Sequence, residues 1–376
     1  MFVNLQGREG QVKYKKMLKA AAALSGLFSE SASPYLGYRA VENVFCKALN
    51  ADNLSRSDCS ADAAKNGTGI GIKTFLNGNG KSLQKVAEFN SQINQYKGKG
   101  TREVVEIISA LRNERLNVTK RIYKLEGLIY HCVVRKEGHI MIFECPMDAI
   151  EIENIKNVKA TEHTISFEDS KNEYSFNMSK STLYKRFYTQ DVIMEFSVDI
   201  LPEPYDFLSN MIVSETAEKY IFSTIKEQQH VFLPLFSDKG GRHVPEKSGL
   251  NQWNAGGRAR DFDEIYVPIP SWIHKRFKNF FPPRDKPFTL RLPNKDELSV
   301  KLCQDSSKAL MSNPNAALGE WLLRDVMELK NGELLSYDKL KELGLDSVVI
   351  YLLEDGSYSI DFTEIGSYDK FMEEYK

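Results

Sequence analysis

Apolar and polar positions along the chain follow a helical period first and a strand period later. Four segments space their apolar residues three and four apart, which is typical of amphipathic helices. These segments are 9–28, Leu36–Leu49, 82–95 and 101–119. Between about 127 and 200 the pattern changes to short apolar runs separated by polar turns, which predicts strands, with one short capped helix at 179–187.

The pattern changes again after a helical stretch near 207–228. From there to the C-terminus, predicted strands alternate with long polar loops. A chain of 376 residues exceeds the usual size of a single domain. We therefore predict an α+β protein of two domains: 1–228, with a mixed sheet between helices, and 229–376, with a β-barrel.

The strongest turn signal in the chain is Asn66-Gly67, which lies between extended residues in the stretch 60–75. A type I′ turn needs positive φ at both central residues, and Asn and Gly adopt positive φ more readily than other residues. Such a turn predicts a hairpin in which Ala63 pairs with Ile70.

This register determines which side chains share a face of the sheet. Because side chains alternate, Ile70 and Ile72 face the core, whereas Asp62, Gly71 and Lys73 share the open face, where Gly71 leaves space. A metal-dependent phosphodiesterase needs such a layout, since a hard divalent cation takes carboxylate oxygens and a nearby lysine assists the attacking water. We therefore expect Mg²⁺ at Asp62 and an assisting role for Lys73.

A single carboxylate is too few for such a site, and the sequence offers candidates for a second. Glu42 lies at the edge of the apolar stripe of the second helix, from which its side chain can reach the sheet. Glu88 is expected on the helix after the hairpin, on the side away from its apolar residues. Asp58 has the same face parity as Asp62 and would replace it if the register shifts. The residues alone leave this choice open.

Polar and basic residues concentrate in two loop regions of the C-terminal part. Arg and Lys suit phosphates and guanine edges, and Asn and Gln can pair with adenine, so we predict that both regions contact double-stranded DNA. The first region contains Arg242, Lys247, Ser248, Asn251, Gln252, Trp253, Asn254, Arg258 and Arg260. The second contains Lys301, Gln304, Lys308, Asn313 and Asn315. For Trp253, packing against the strands is the alternative.

Composition limits the classes that remain. With 50 basic and 51 acidic residues the chain has no general basic coat, so DNA contacts must come from local clusters. No apolar run approaches the roughly 20 residues of a membrane span, and the N-terminus lacks a secretory signal, so a cytoplasmic protein is expected. The five cysteines show no CxxC spacing, which argues against a zinc site or a disulfide scaffold.

The hairpin resembles the active-site hairpin of the PD-(D/E)XK nuclease superfamily, in which an Asp on one strand and an acid-x-Lys on the next bind magnesium. The resemblance gives Asp62 the place of the first acid and Lys73 that of the lysine, and Gly71 stands where the second acid should be. Some restriction enzymes of this superfamily carry that acid a little over a dozen residues after the lysine, where Glu88 stands. A helical glutamate such as Glu42 also recurs near the metal. The resemblance thus implies catalytic roles for Asp62, Lys73 and either glutamate.

The two C-terminal loop regions resemble the arms of the B3-like recognition domain found in some restriction endonucleases and in plant transcription factors. The resemblance is carried by KSGLNQWNAGGRARDFDEIYVPIP and by SKALMSNPNAALGEWLL. It implies a pseudobarrel whose N-arm and C-arm enter the DNA major groove.

These patterns and resemblances predict a bacterial, cytoplasmic type II restriction endonuclease that requires Mg²⁺, cuts double-stranded DNA at specific sites and acts as a homodimer. Dependence on cytosine methylation stays open. The alternatives are a non-catalytic DNA-binding regulator on a degenerate nuclease scaffold, which Gly71 favours, and a nuclease that acts on RNA.

Overall fold

The computed structural model describes residues 1–54, 59–212 and 229–375. The chain divides into two compact units, Met1–Asn113 with Leu125–Lys226, and Glu114–Lys124 with Glu227–Lys376. The expected boundary near residue 228 borders a range outside the described residues and stays a prediction. Asp58 and most of the helical stretch expected near 207–228 also lie outside them.

The first unit is built on a six-stranded mixed sheet. Its strands, in spatial order, are β1 (Asp52–Asn53), β2 (Ala63–Lys65), β3 (Thr68–Leu76), β5 (Gly127–Lys136), β6 (His139–Pro146) and β11 (Met194–Ser197). Strands β3 and β5 pair in parallel, and the other neighbours pair antiparallel. The sheet therefore has the mixed character expected, while a nuclease fold for this unit stays a prediction.

A second, antiparallel sheet completes the first unit. Its spatial order is β4 (Lys81–Glu88), β10 (Thr182–Tyr188), β9 (Glu173–Asn177), β8 (Thr164–Glu168) and β7 (Lys156–Ala160). The N-terminal helices are α1 (Arg8–Ala23), α2 (Tyr38–Leu49), α3 (Ile93–Tyr96), α4 (Thr101–Tyr123) and α5 (Pro204–Ile212). Residues 114–123 of α4 belong to the second unit.

Helices α1 and α2 cover one face of the six-stranded sheet. Tyr14 of α1 and Phe45 of α2 are fully buried in one apolar cluster with Ile70 and Ile72 of β3. Burying each large apolar side chain contributes roughly 1.5–3 kcal/mol, so this cluster fixes the helices on the sheet. The expected core side of β3 is confirmed.

A chain of buried polar groups secures α1 to the sheet. The Tyr14 hydroxyl lies 2.8 Å from His131 Nε2, and His131 Nδ1 lies 3.0 Å from Glu144 Oε1. The Val3 N–H donates to the same Glu144 oxygen at 3.1 Å. Because buried polar groups are costly when unpaired, this continuous chain specifies one seating of the N-terminal segment on β5 and β6.

Two expected helices are strands. Residues 81–88 form β4, followed by a short 3₁₀ turn at Asn90–Gln92 and the single turn of α3, in place of a helix over 82–95. The expected capped helix at 179–187 is β10. The two segments pair with each other, and Leu183 and Phe187 of β10 are buried on alternate positions. Cross-strand pairing and burial of one face therefore outweigh the local helical pattern.

The second unit is built on a seven-stranded sheet. Its spatial order is β12 (His230–Pro234), β17 (Leu345–Leu352), β18 (Tyr358–Glu364), β14 (Phe288–Arg291), β15 (Glu297–Cys303), β16 (Ala309–Ser312) and β13 (Val267–Pro268). The end strands β12 and β13 approach each other, so the sheet is nearly closed like a barrel, as expected for this part of the chain. Its described helical segments include Ser271–Arg276, Ala317–Gly319, the π-helical Glu320–Val326, Tyr337–Leu343 and Ser367–Tyr375.

The α+β class is thus confirmed. Across the described ranges, no helix combines the length and the apolar character that crossing a bilayer would require.

Two backbone segments of the second unit approach each other at Gly319. A Cβ atom there would lie 2.0 Å from the carbonyl oxygen of Asp263 and 2.8 Å from its Cα. Both obstacles are backbone atoms, which cannot rotate away. Gly319 therefore permits the helical segment after β16 to pack directly on the chain that precedes β13.

We expect Gly319→Ala to lower the free energy of unfolding of the second unit by about 3 kcal/mol, because the added methyl group forces the backbone of Asp263 to move. Urea unfolding followed by tryptophan fluorescence reports on this unit, since the three tryptophans Trp253, Trp272 and Trp321 all lie in it. Gly256→Ala is the matched control, because nothing lies within 4 Å of its Cβ position. Equal midpoints for the two variants would contradict the argument.

Candidate functional site

The hairpin between β2 and β3 has the turn geometry that its sequence predicts. Asn66 and Gly67 both have positive φ, at 50° and 73°. Ala63 pairs with Ile70, as expected for a two-residue turn. The predicted register of the hairpin is therefore confirmed up to Ala63.

Beyond Ala63, the side chain of Asp62 replaces part of the ladder. The Asp62 N–H donates to the Ile70 carbonyl at 2.8 Å. Its carboxylate Oδ2 accepts the N–H of Ile72 at 2.6 Å, where a further backbone carbonyl would have served in a regular ladder. These two bonds fix the direction of the Asp62 carboxylate, directly before β2 begins.

The Asp62 carboxyl is partly buried, and positive groups act on it. Burial raises its pKa, whereas the charge of Lys73, the Ile72 N–H and the charge of Arg39 act in the opposite direction. The charges of Lys73 and Arg39 therefore both act on the Asp62 carboxyl. A catalytic pairing of Asp62 with Lys73 stays a prediction.

Glu42 of α2 lies in the same neighbourhood. Its carboxylate Oε2 accepts a hydrogen bond from Arg39 Nη1 at 3.1 Å, and its side chain is 5% exposed. Burial raises the pKa of the Cys46 thiol to about 12, and the negative charges of Glu42, Asp62 and Asp52 act in the same direction. The charges of Glu42 and Asp62 therefore both act on the Cys46 thiol.

Glu88 has local partners at the end of β4. The expectation of a helical position is wrong, because Glu88 is the last residue of β4, opposite Thr182. Its carboxylate accepts hydrogen bonds from Lys85 Nζ and Asn90 Nδ2. Of the two candidates for a second acid, Glu42 is the one whose charge acts on the same thiol as Asp62.

The open space expected at Gly71 is filled. A Cβ atom at Gly71 would lie 2.4 Å from Met147 Cε and 3.2 Å from the Tyr130 ring. The phenol of Tyr130 is itself held by Arg112 Nη2 at 2.7 Å. A side chain at position 71 would have to displace the flexible end of the Met147 side chain and would press against the Tyr130 ring.

The donor set near the hairpin suits a hard cation. In the ranges 1–54, 59–212 and 229–375, no three or more His, Cys, Asp or Glu residues are grouped so that they could hold a metal ion. Mg²⁺ nevertheless needs only one or two carboxylates, since it retains waters and takes phosphate oxygens. The carboxylates of Asp62 and Glu42 are ligands of the kind that Mg²⁺ takes, and the charges of both act on the Cys46 thiol, so a magnesium site formed by this pair stays a prediction.

Arg39 is the residue that the sequence analysis overlooks. It precedes Glu42 by three positions on α2, so the two side chains lie on one face of the helix, and this spacing was the available signal. The Arg39 side chain is 54% exposed, whereas that of Glu42 is buried. Arg39 therefore joins the buried acid to solvent.

In the second unit, Arg242 is occupied by intramolecular partners. Its guanidinium donates to both carboxylate oxygens of Asp369 at 2.9 Å and to Asp238 at 3.0 Å. It also lies 4.1 Å from the centre of the Phe236 ring. The hydrogen bonds that Arg242 donates to Asp369 raise the pKa of Arg242 further. Arg242 links the loop after β12 to the last helix and is a poor candidate for a DNA contact.

Asn251 is also a structural residue. It is 1% exposed, and its Nδ2 donates to the carbonyls of Pro245 and Leu335 at 3.1 and 2.9 Å. Its Oδ1 accepts the N–H of Leu335 at 2.9 Å. These bonds satisfy most of its capacity, so the expected base contact does not fit its position.

A buried acid organises the middle of the first loop region. Glu264 is 4% exposed, and its Oε1 accepts a hydrogen bond from Gln252 Nε2 at 3.0 Å. The same oxygen binds Arg258 Nη2 and lies 3.5 Å from Arg260 Nε. Gln304 Nε2, from the second region, lies 3.5 Å from Gln252 Oε1. The two loop regions therefore meet at Gln252 and Gln304.

Trp253 packs as the alternative reading of the sequence suggests. Its ring meets that of Phe262 edge to face, with centroids 5.3 Å apart.

The remaining residues that were expected to contact DNA are exposed to differing degrees. Lys247, Lys308, Asn313 and Asn315 are exposed, and Ser248, Asn254 and Lys301 are partly buried.

Comparison with known proteins finds a similarity for the C-terminal part. No curated protein matches the chain significantly. Residues 219–354 match the family model of the NgoFVII C-terminal B3-like DNA-binding domain, and this range includes both loop regions. The C-terminal part of the chain is thus similar to the B3-like DNA-binding domain of a restriction enzyme, which confirms that part of the expected resemblance.

Proposed function

We propose that this protein is a site-specific, Mg²⁺-dependent restriction endonuclease that hydrolyses phosphodiester bonds of double-stranded DNA. The observation that carries the proposal is the match of residues 219–354 to a B3-like DNA-binding domain of a restriction enzyme. The neighbouring Asp62 and Lys73 at the first unit's hairpin support the catalytic part. The second unit binds DNA in this proposal, and the first unit cuts it.

The hairpin and α2 provide the groups that phosphodiester hydrolysis needs. Asp62 and Glu42 would hold Mg²⁺, which when bound polarises the scissile phosphate. The Lys73 ammonium orients the attacking water and offsets the negative charge that develops on the phosphate. The half-exposed Arg39 guanidinium is planar and suits phosphate oxygens, so it positions the scissile group.

The exposed residues of the two loop regions provide the DNA-binding surface in this proposal. Lys247 and Lys308 suit phosphate oxygens, whereas Asn313 and Asn315 can read base edges. Because one active site cuts one strand, cleavage of both strands at a palindromic site calls for a homodimer. A requirement for methylated cytosine is a variant of the same proposal.

A second candidate function is a DNA-binding regulator without catalysis. The observation that favours it is Gly71, which occupies the place of the second acid beneath Met147. The two candidates differ in one property, since both bind DNA but only the endonuclease cuts it with Mg²⁺.

Lys73→Ala should lower the rate of Mg²⁺-dependent cleavage by about 100- to 1,000-fold, because the variant loses the cation that stabilises the developing phosphate charge. Plasmid cleavage assays across methylated and unmethylated substrates measure the rate, and gel shift measures DNA binding, which should persist. Lys136→Ala, at an exposed position at the end of β5, is the control. A wild-type protein that binds DNA and cuts neither DNA nor RNA would support the regulator instead.

Substitution of the two glutamates decides which acid completes the site. Glu42→Gln keeps the size of the buried side chain and removes its charge, so cleavage should fall by at least about 100-fold. Glu88→Gln should retain cleavage within a few fold, since its described partners are Lys85 and Asn90. Single-turnover cleavage at several Mg²⁺ concentrations checks both. The reverse ranking would assign the second acid to Glu88.

Two asparagines in the loop regions should behave differently. Asn251→Ala should lower the free energy of unfolding of the second unit by about 2–3 kcal/mol, because it leaves buried backbone groups of Leu335 unpaired. Asn313→Ala, at an exposed position, should leave stability unchanged and weaken DNA binding. Urea unfolding and fluorescence anisotropy with labelled duplexes separate the effects. Loss of DNA affinity in Asn251→Ala at unchanged stability would restore it as a direct contact.

A further inference from the structure

Three side chains connect the two loop regions: Gln304, Gln252 and the buried acid Glu264. Glu264 accepts from Gln252 Nε2 at 3.0 Å, and Gln252 Oε1 lies 3.5 Å from Gln304 Nε2. We call these residues, with Arg258 and Arg260, the Glu264 network. It joins the loop that follows β12 to the turn that follows β15.

The acid determines the orientation of both amides. An ionised carboxylate only accepts hydrogen bonds, so it must face the NH₂ group of Gln252. The oxygen of Gln252 then points to Gln304, which must present its own NH₂ group in return. This arrangement leaves Gln304 with its amide oxygen and one further N–H to offer to a ligand. The donor and acceptor pattern that Gln304 presents is therefore set by the charge of Glu264.

The backbone of Gln304 supports a functional role for its position. Its φ of 66° and ψ of 171° lie in a region that is essentially restricted to glycine. The two following serines of the turn, Ser306 and Ser307, also have positive φ. Such strain persists where the surroundings impose it, and it clusters at ligand-binding positions. Here the strained turn places the Gln304 amide against Gln252.

The same acid also limits positive charge at this place. Arg258 is 57% exposed and binds Glu264, while Arg260 is more buried and lies 3.5 Å from the same oxygen. If the negative charge of Glu264 were removed, it would no longer offset the positive charges of Arg258 and Arg260. The local attraction for phosphate, which is independent of DNA sequence, would then increase.

We propose that Glu264 is a positioning residue for base readout, which orients Gln252 and thereby fixes Gln304 as a reader of adenine. Adenine presents an adjacent acceptor and donor at its major-groove edge, and an amide that offers one donor and one acceptor pairs with both. This inference rests on the proposed DNA-binding function. It adds Glu264, which itself touches no base, to the residues that determine specificity.

The test uses the full-length protein in EDTA, so that binding is measured without cleavage. Wild type and Glu264→Gln are each used to select duplexes from a random-sequence pool, and selected and scrambled duplexes are then titrated at several salt concentrations. The wild type should enrich a motif that contains adenine. Glu264→Gln should lose about tenfold in discrimination at that adenine, and should bind scrambled DNA more tightly at low salt with a steeper salt dependence.

Gain of non-specific binding together with loss of discrimination is a result that simple destabilisation does not produce. Asp263→Asn is the matched control, because this neighbouring acid holds Arg324 at 2.6 Å rather than an amide of the network. It should select the wild-type motif with unchanged discrimination. Gln304→Ala removes the proposed reader without altering the buried acid, and should lose preference at the same adenine.

The outcomes separate this inference from the function on which it rests. A wild-type motif that Glu264→Gln or Gln304→Ala selects with full discrimination overturns the inference and leaves specific DNA binding intact. A wild-type motif without adenine also overturns it. A wild-type protein that enriches no motif overturns both the inference and the proposed sequence-specific function.

Discussion

The hydrogen bond from the Ile72 N–H to the Asp62 carboxylate is the contact on which the first unit's site depends. A buried carboxylate is stable only where donors or cations compensate its lost hydration. The backbone of β3 supplies the donor, and the neighbouring Lys73 supplies a charge. By using the acid as part of the ladder, the hairpin fixes its direction more firmly than a side chain on a free surface could. The position of the acid is therefore a property of the sheet itself.

In the second unit, buried and half-buried charges are compensated by different partners. Glu264 is compensated by an amide and two arginines, and Arg242 by the carboxylates of Asp238 and Asp369. In each case one member is buried or half-buried, so removing it deprives its partners of that compensating group. The loops of this unit thus owe their shape to internal ion pairs and amide bonds. Only part of their polar content is left to meet a ligand.

The difference between local and distant contacts explains which features the sequence could predict. The Asn66-Gly67 turn and the core side of β3 follow from local rules, since turn type and side-chain alternation depend on neighbouring residues. The strand β4, which carries Glu88, could not be recognised because its identity depends on pairing with β10, which begins at residue 182. Asn251 and Arg242 were expected to contact DNA because a polar side chain in a loop looks the same whether its partner is DNA or a distant part of the chain.

The close approach of Gly319 to Asp263 has a consequence for how the two loop regions can respond to DNA. The helical segment after Asn313 and Asn315 packs on the backbone of the residue just before Glu264, so the second loop region and the end of the first are in direct contact. If both regions bind DNA as proposed, this contact opposes their moving apart. A mismatch in width between the loop regions and the groove would then be absorbed by the double helix, whose readiness to bend varies with its base sequence. Flexible steps between the contacted bases would thus favour binding without being touched.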